Sequence, residues 1–209
     1  MDYNDAIPGS DLTFICVGTP SDEDGRIDLS IVCCASESIG DALKLADRDS
    51  HHVVVVKSTV VPGTTEDVVA PLIHARGDPE NVGIAMNPEF LREGKAVYDF
   101  MNPDKIVIGG DPRYAGMVAS LYEKIPCKAT LTDIRTAAMI KYANNSFLAT
   151  KISFANENGN LCTTLGIDVY EVMSAIGKDF RISEHFLNAG AGFGGSCFPK
   201  DVKALIGRA

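Results

Sequence analysis

The sequence predicts an α/β protein: a partial doubly wound parallel sheet, then an all-helical region built around one long helix. Three observations carry this expectation. Short continuous apolar runs recur at residues 12–17, 52–57, 82–86 and 105–109, as strands buried on both faces require. Helical patterns fall between those runs. From Asp133 to about Leu165 there is no proline and a single glycine, Gly159, while apolar residues recur at helical spacing.

The elements follow in order. Leu12-Thr-Phe-Ile-Cys-Val17 reads as a buried strand, and Gly18-Thr19-Pro20 breaks it. Asp28 is placed to cap a helix that runs through Ile31, Val32, Ile39 and Leu43. His52 to Lys57 is a second strand, rich in β-branched valine. Pro62-Gly63-Thr64-Thr65 opens another helix. Val82 to Met86 is the third strand, and a long polar loop from Asn87 to Met101 follows it. Lys105 to Gly109 is the fourth strand, a helix lies around Tyr114 to Lys124, and Thr130 to Thr132 forms a short fifth strand. A helix from Asp133 to Leu165 spans about 50 Å at 1.5 Å per residue, too long for one small domain, so it is expected to bridge domains or subunits. A shorter helix, Asp168 to Ile176, comes next. A glycine-rich loop then runs to Gly195, and a last helix starts near Pro199.

Composition narrows the classes. The 209 residues are 45% hydrophobic and 22% charged, an ordinary globular balance. A formal net charge of −9 argues against nonspecific nucleic-acid binding, which needs clustered Lys and Arg. No apolar run reaches the roughly 20 residues that cross a bilayer, and the acidic start Met1-Asp-Tyr-Asn-Asp5 is unlike a secretory leader. A cytoplasmic protein with no membrane partner is therefore expected. The six cysteines, at 16, 33, 34, 127, 162 and 197, form no C-x-x-C pair and suggest neither a disulfide framework nor a metal site. Five of them read as mostly buried, inert thiols.

Cys197 is the exception. It lies in Gly192-Phe-Gly-Gly-Ser-Cys-Phe-Pro-Lys-Asp201. Pro199 suits the first turn of a helix, which puts Cys197 at or just before a helix N-terminus. Unpaired N–H groups and the helix dipole stabilise negative charge there, and Lys200 adds to them. The bland alternative is a buried cysteine. Asp201, one turn on, is placed to orient a water or a base, or is simply an N-terminal helix acid. Lys141 and Asn145 share one face of the long helix and could hold an oxyanion, or form a solvated face. Glu89 and Glu93, one turn apart in Asn87-Pro-Glu-Phe-Leu-Arg-Glu93, suit acid–base work, or cap and pair with Arg92 at the surface. Thr19 and Thr59 fall just past strand ends, where ligands gather in such sheets.

Five segments in one order resemble the UDP-glucose/GDP-mannose dehydrogenase family. They are Cys16-Val-Gly-Thr-Pro20; Val56-Lys-Ser-Thr-Val-Val-Pro-Gly63; Asn87-Pro-Glu-Phe-Leu-Arg-Glu-Gly94; Lys141-Tyr-Ala-Asn-Asn145 with Phe154-Ala-Asn-Glu157; and the segment around Cys197. The resemblance covers nearly the whole chain. It implies NAD-dependent, four-electron oxidation of a nucleotide sugar, with Cys197 attacking the aldehyde and carrying a thiohemiacetal and then a thioester. Lys141 and Asn145 would hold the oxyanion and the water, and Asp201 would assist proton transfer. Glu89 would serve thioester hydrolysis, and Thr59 would contact water near the cofactor. Thr19, Ser58, Thr59, Glu93 and Lys200 match cofactor contacts. Glu89, Phe90, Leu91, Arg92, Glu93, Lys141, Asn145, Phe186, Leu187, Asn188, Ala189, Gly190 and Gly194 match the substrate-binding surface.

The same resemblance implies that residues 1–132 form a partial NAD-binding, Rossmann-like domain. Residues 133–209 would be a central helical region that forms a homodimer through the long helix. No G-x-G-x-x-G turn precedes Leu12, and Leu205 and Ile206 are still in helical phase near Ala209. The expectation is a chain that lacks the first strand, the phosphate turn and a C-terminal nucleotide domain. Phe198-Pro-Lys-Asp201 resembles the branches that act on UDP-glucose or GDP-mannose, and UDP-glucose is favoured. The rival expectation from another class is a non-catalytic dimerising fragment.

Overall fold

The computed structural model describes residues 2–45, 51–77 and 80–208; Met1 and Ala209, which bound the expected domains, lie outside them. The chain divides into two compact units, Met1–Lys141 and Tyr142–Ala209.

The first unit holds a five-stranded sheet in the order β1-β2-β3-β4-β5. A short helix α1 (Tyr3–Ala6) precedes β1 (Leu12–Ile15), and α2 (Ser30–Lys44) leads to β2 (His52–Val56). A π-helical turn, Thr65–Val69, runs into α3 (Ala70–His74) and then β3 (Val82–Met86). Next come α4 (Ala96–Met101), β4 (Ile106–Gly110), α5 (Pro112–Ser120) and β5 (Ala129–Thr132). Asp28 accepts the Ser30 N–H at 2.8 Å and so starts α2, as its position in the sequence suggests.

Both faces of the sheet are covered, which explains the unbroken apolar runs. Val54, Val56, Ile84 and Met86 pack with Val32, Ile39, Val69 and Ile73 of α2, the π turn and α3. Val53, Val55, Ala85 and Ile108 face the other way, against Ala115 and Val118 of α5. Val53 to Val56 are all fully buried; each such side chain contributes about 1.5–3 kcal/mol relative to exposure. Gly83 sits where a Cβ would collide with the Tyr114 ring, so only glycine lets α5 lie this close to β3.

One pairing departs from the all-parallel expectation. β1–β2, β2–β3 and β4–β5 are parallel, but β3 and β4 are antiparallel, with Ala85 opposite Gly110 and Met86 opposite Gly109. A parallel return needs a crossover element packed over the sheet. The only helix in this connection is α4, six residues long, and its one buried residue is Asp99. Its apolar residues Val97, Tyr98, Phe100 and Met101 stay exposed and do not cover the sheet, and β4 enters reversed.

The second unit contains most of α6 (Ile134–Leu165), α7 (Val169–Gly177) and α8 (Phe198–Arg208). The long helix is 32 residues, close to the length its sequence pattern predicts. It stops at Gly166, whose φ of +67° favours glycine, while the Ile167 N–H returns to the Cys162 carbonyl at 2.9 Å. Asp168 caps α7 by accepting from the Tyr170 N–H. Ala155, Met173 and Leu187 form the core of this unit, with Val169, Val172 and Ile176 packed against it.

Candidate active site

The predicted site residues fall into one cluster in each unit. In the first unit they gather past the strand ends. The Lys141 ammonium is 4% exposed as a residue and donates to a Glu89 carboxylate oxygen at 2.8 Å. The other Glu89 oxygen accepts the Leu91 N–H at 2.7 Å. Phe90 lies beneath two ammonium groups, Lys105 at 4.5 Å and Lys141 at 5.5 Å from the ring centroid. Lys141 is thus a buried, paired cation, and the alternative of a solvated helix face does not describe it.

Glu93 does not join that pair. Residues 87–95 form no helix, and Glu93 is exposed, so the one-turn spacing brings no second carboxylate to Glu89. Arg92 also turns elsewhere. It grips Asp99 with Nε at 2.9 Å and Nη2 at 2.6 Å, and its own N–H adds a third bond at 2.8 Å. Those bonds hold the Asp99 carboxyl at about 2, below its ordinary 3.8. The expected surface pairing of Arg92 with a glutamate is replaced by this fork, because a planar guanidinium satisfies a mostly buried carboxylate on both oxygens.

Thr19 and Ser58 are buried, and Thr59 is half-buried. The Ser58 hydroxyl donates to the Val17 carbonyl at 2.6 Å and sits 3.2 Å from that of Ile15. Its bonds are to backbone at the end of β1.

Sequence reasoning missed three neighbours. Lys57 donates to the Asn87 side-chain oxygen at 3.0 Å, and Tyr122 donates to the same oxygen at 2.5 Å. Burial pushes the Lys57 ammonium below its ordinary range; Cys16 and Glu89 oppose that shift, and Lys141 adds to it. The available signal was a lysine placed directly after four valines, inside a segment already singled out.

In the second unit, Cys197 immediately precedes α8. Its carbonyl accepts the Asp201 N–H at 2.9 Å and closes the first turn, so it is the N-cap residue. Its side chain is exposed, with the Ser196 hydroxyl 3.7 Å from the sulfur. Asp201 is 1% exposed. One of its oxygens accepts from the Asn145 amide at 2.6 Å, and the other from the Lys200 ammonium at 2.6 Å. Lys200 therefore neutralises Asp201 first. The remaining cysteines depart from the expectation of burial: only Cys162 is buried, Cys33 and Cys127 are intermediate, and Cys16 and Cys34 are exposed. All six are free thiols, two of them on the outer side of α2.

The loop before Cys197 is docked on its own unit. Leu187 inserts into the core, Tyr170 donates to the Ala189 carbonyl at 3.1 Å, and the Gly190 N–H reaches Asn156 at 2.9 Å. Phe186 holds a φ of +63°, which is costly for an aromatic residue, and its ring stands 6.2 Å from that of Phe198. Asn188 and Gly194 are exposed. Within this unit, an exposed thiol at a helix start and a buried carboxylate–amide pair are the parts of a nucleophilic site with polar support.

The family model for the UDP-glucose/GDP-mannose dehydrogenase NAD binding domain matches residues 1–126, and that for the central domain matches residues 135–209. The chain belongs to the UDP-glucose/GDP-mannose dehydrogenase family. It is 50% identical to the UDP-glucose 6-dehydrogenase AglM of Haloferax volcanii, over 100% of this chain and 50% of that protein. It is 42% identical to the GDP-mannose 6-dehydrogenase of Pseudomonas syringae pv. tomato, over 100% of this chain and 48% of that protein. A solved UDP-glucose dehydrogenase from Pyrobaculum islandicum superposes with a TM-score of 0.95 at 46% identity, covering 99% of this chain and 48% of that one. The chain spans about half the length of the curated relatives it matches. Among the described residues, no helix is long and apolar enough to cross a membrane, and no group of three or more potential ligands could hold a metal ion.

Proposed function

We propose that this chain supplies the cysteine, its polar support and part of the NAD-binding domain of an enzyme that oxidises UDP-glucose to UDP-glucuronate. The observation that carries the reading is Cys197: a free, exposed thiol directly before α8, on the same turn as a buried Asp201 tied to Asn145. A relative named UDP-glucose 6-dehydrogenase at 50% identity supports the choice of sugar.

The overall reaction takes UDP-glucose, two NAD⁺ and water to UDP-glucuronate, two NADH and three protons. NAD, when bound, accepts one hydride in each oxidation. Thr19, Thr59, Glu93 and Lys200 are assigned to holding it, and Ser58 to shaping that strand end through its backbone bonds. The sugar's primary alcohol gives up one hydride and one proton to become the aldehyde; the Cys197 sulfur adds to its carbon, giving a thiohemiacetal, which becomes a thioester on losing a second hydride and its hydroxyl proton. Lys141 and Asn145 donate to the oxygen that gains charge and to the attacking water. Glu89 and Asp201 accept and return protons, and hydrolysis releases the carboxylate and the thiol. Residues 89–93 and 186–190, with Gly194, are assigned to the substrate. Residues 1–132 are assigned to the NAD-binding domain, and residues 133–209 to the helical region. A cytoplasmic location follows from dependence on NAD and a nucleotide sugar.

We also read α6 as a dimerisation helix. Phe147, Phe154 and Leu161 recur every seven residues along it and are 64%, 50% and 62% exposed, a stripe that a second copy of the helix would cover.

The test uses the full protein that carries this chain, with NADH and sugar acid followed for UDP-glucose and GDP-mannose side by side. Uronate formation from UDP-glucose that is lost in Cys197→Ala is expected. Turnover preferring GDP-mannose would replace the sugar assignment. No turnover with either sugar, or acid formation undiminished in Cys197→Ala, would overturn the enzymatic reading.

A further inference from the structure

The loop that carries Glu89 begins at Asn87, and Asn87 is the most heavily bonded residue near it. Its backbone N–H donates to the Val56 carbonyl of β2 at 2.9 Å. Its side-chain amide donates to the Val107 carbonyl of β4 at 2.8 Å. Its side-chain oxygen accepts from both Lys57 and Tyr122, at 3.0 Å and 2.5 Å. The residue is 2% exposed. Four bonds from three directions leave it no alternative position, because a buried amide that lost them would be unsatisfied.

Two residues on, Glu89 meets Lys141 at 2.8 Å. The loop between has no regular structure of its own, so its placement depends on where it leaves the sheet. Glu89 is in turn one of the charges that act on Lys57: burial disfavours its ammonium, and Cys16 and Glu89 favour it. Lys57 directly follows β2, is partly buried and is bonded to Asn87. A neutral residue would cost less there unless the charge and the bond were used.

We infer that Lys57 is a positioning residue: with Tyr122 it clamps Asn87, and through Asn87 it sets Glu89 against Lys141. The inference rests on the proposed role of that pair in the reaction. It adds a requirement that the exposed residues of the loop do not carry, since Arg92 and Glu93 make no bond to Asn87 or Glu89.

Two variants probe it in the full protein. Lys57→Met removes the charge and the donor while keeping the length. Tyr122→Phe removes only the second donor to Asn87. The first readout is structural and needs no activity: crystal structures of both variants. In Lys57→Met the Glu89–Lys141 contact is expected to lengthen beyond salt-bridge distance, with a smaller displacement in Tyr122→Phe. The second readout is kinetic: kcat is expected to fall by about 10–100-fold with KM for sugar and NAD within about twofold, since a misplacement near 1 Å can cost that much rate. Lys57→Gln, which restores a donor without charge, should recover part of kcat.

A Glu89–Lys141 contact unchanged in both variants would overturn the inference whatever the rates. A matching loss through KM alone would do so as well, because it would point to weakened binding. If the unmodified protein oxidises no nucleotide sugar, the functional reading fails while the crystal structures still decide the positioning role.

Discussion

The Asn145 amide donates to the Asp201 carboxylate at 2.6 Å, and this single bond ties the middle of α6 to the first turn of α8, where Cys197 closes the helix. Asp201 is 1% exposed and also bears the Lys200 ammonium. Cutting the bond from either side leaves a buried polar group without its partner. Asp201→Asn keeps the shape and removes the charge. It is expected to cost about 1.5–3 kcal/mol of stability, the scale of a hydrogen bond to a charged group. It should also lower kcat by about 10²–10⁴-fold, as losing an acid–base group does. Thermal unfolding and steady-state rates on one preparation check both. A variant with wild-type kcat would remove Asp201 from the chemistry and leave it a structural residue.

The thiols differ enough in exposure to be told apart by alkylation. Cys16, Cys34 and Cys197 are exposed, while Cys162 is buried. Burial pushes the Cys16 thiol up, more than Lys57 pulls it down, which makes it the slower of the exposed groups on that account. Under limiting iodoacetamide, peptide mass spectrometry should find Cys197 and Cys34 labelled first, Cys16 later and Cys162 last. Nucleotide sugar added beforehand should protect Cys197 and no other site. Labelling of Cys162 at the rate of Cys197 would contradict the burial pattern.

Much of the fold was legible because buried parallel strands and long helices write themselves into hydropathy. Val53 to Val56 cannot be exposed without a large loss, and α6 contains no proline and only Gly159 before it stops at Gly166. The direction of β4 was not legible. Hydropathy gives a strand its burial, but its direction depends on whether the preceding connection can cover the sheet; residues 96–101 read as part of a polar loop, yet they fold as a short helix whose Val97 and Tyr98 stay exposed. Cys197 was legible from its glycines and Pro199. The Asn145–Asp201 bond was not, because its partners are 56 residues apart. Lys57 was passed over since a charge at a strand end looks like the start of a loop. Nothing local shows that Asn87, thirty positions away, waits for it.

Asp99 and Arg92 give the molecule an acid-sensitive joint within the loop that carries Glu89. The bonds from Arg92 hold the Asp99 carboxyl at about 2, against an ordinary 3.8. A depressed carboxylate contributes stability above its unfolded value, and that contribution is lost as pH falls through the folded value. The fork is therefore intact above about pH 4 and is lost as pH falls toward 2. Asp99→Asn removes the titration. The stability difference between wild type and variant, measured by urea unfolding at a series of pH values, should be constant above pH 4 and shrink toward pH 2. A difference that stays level across that interval would show that Arg92 does not hold the carboxylate in solution.

The exposed stripe on α6 makes the last prediction. Phe147, Phe154 and Leu161 stand seven residues apart, and Leu165 follows one turn after Leu161 at 69% exposure. Single exposed apolar residues are common, but large side chains repeating at a heptad interval are the pattern of a helix with a partner. Polar replacement at the centre of such a stripe costs most, since the flanking contacts cannot close around a charge. Phe154→Lys in the full protein should convert a dimer to monomers in multi-angle light scattering. Phe180→Lys, on a residue 93% exposed and outside the helix, should leave the mass unchanged. The secondary structure of both, followed by circular dichroism, should match wild type, because Phe154 is 50% exposed and lies outside the core clusters of the described residues. A wild-type protein that runs as a monomer at every concentration, or a Phe154→Lys variant that stays dimeric, would show that α6 keeps its stripe for some other surface.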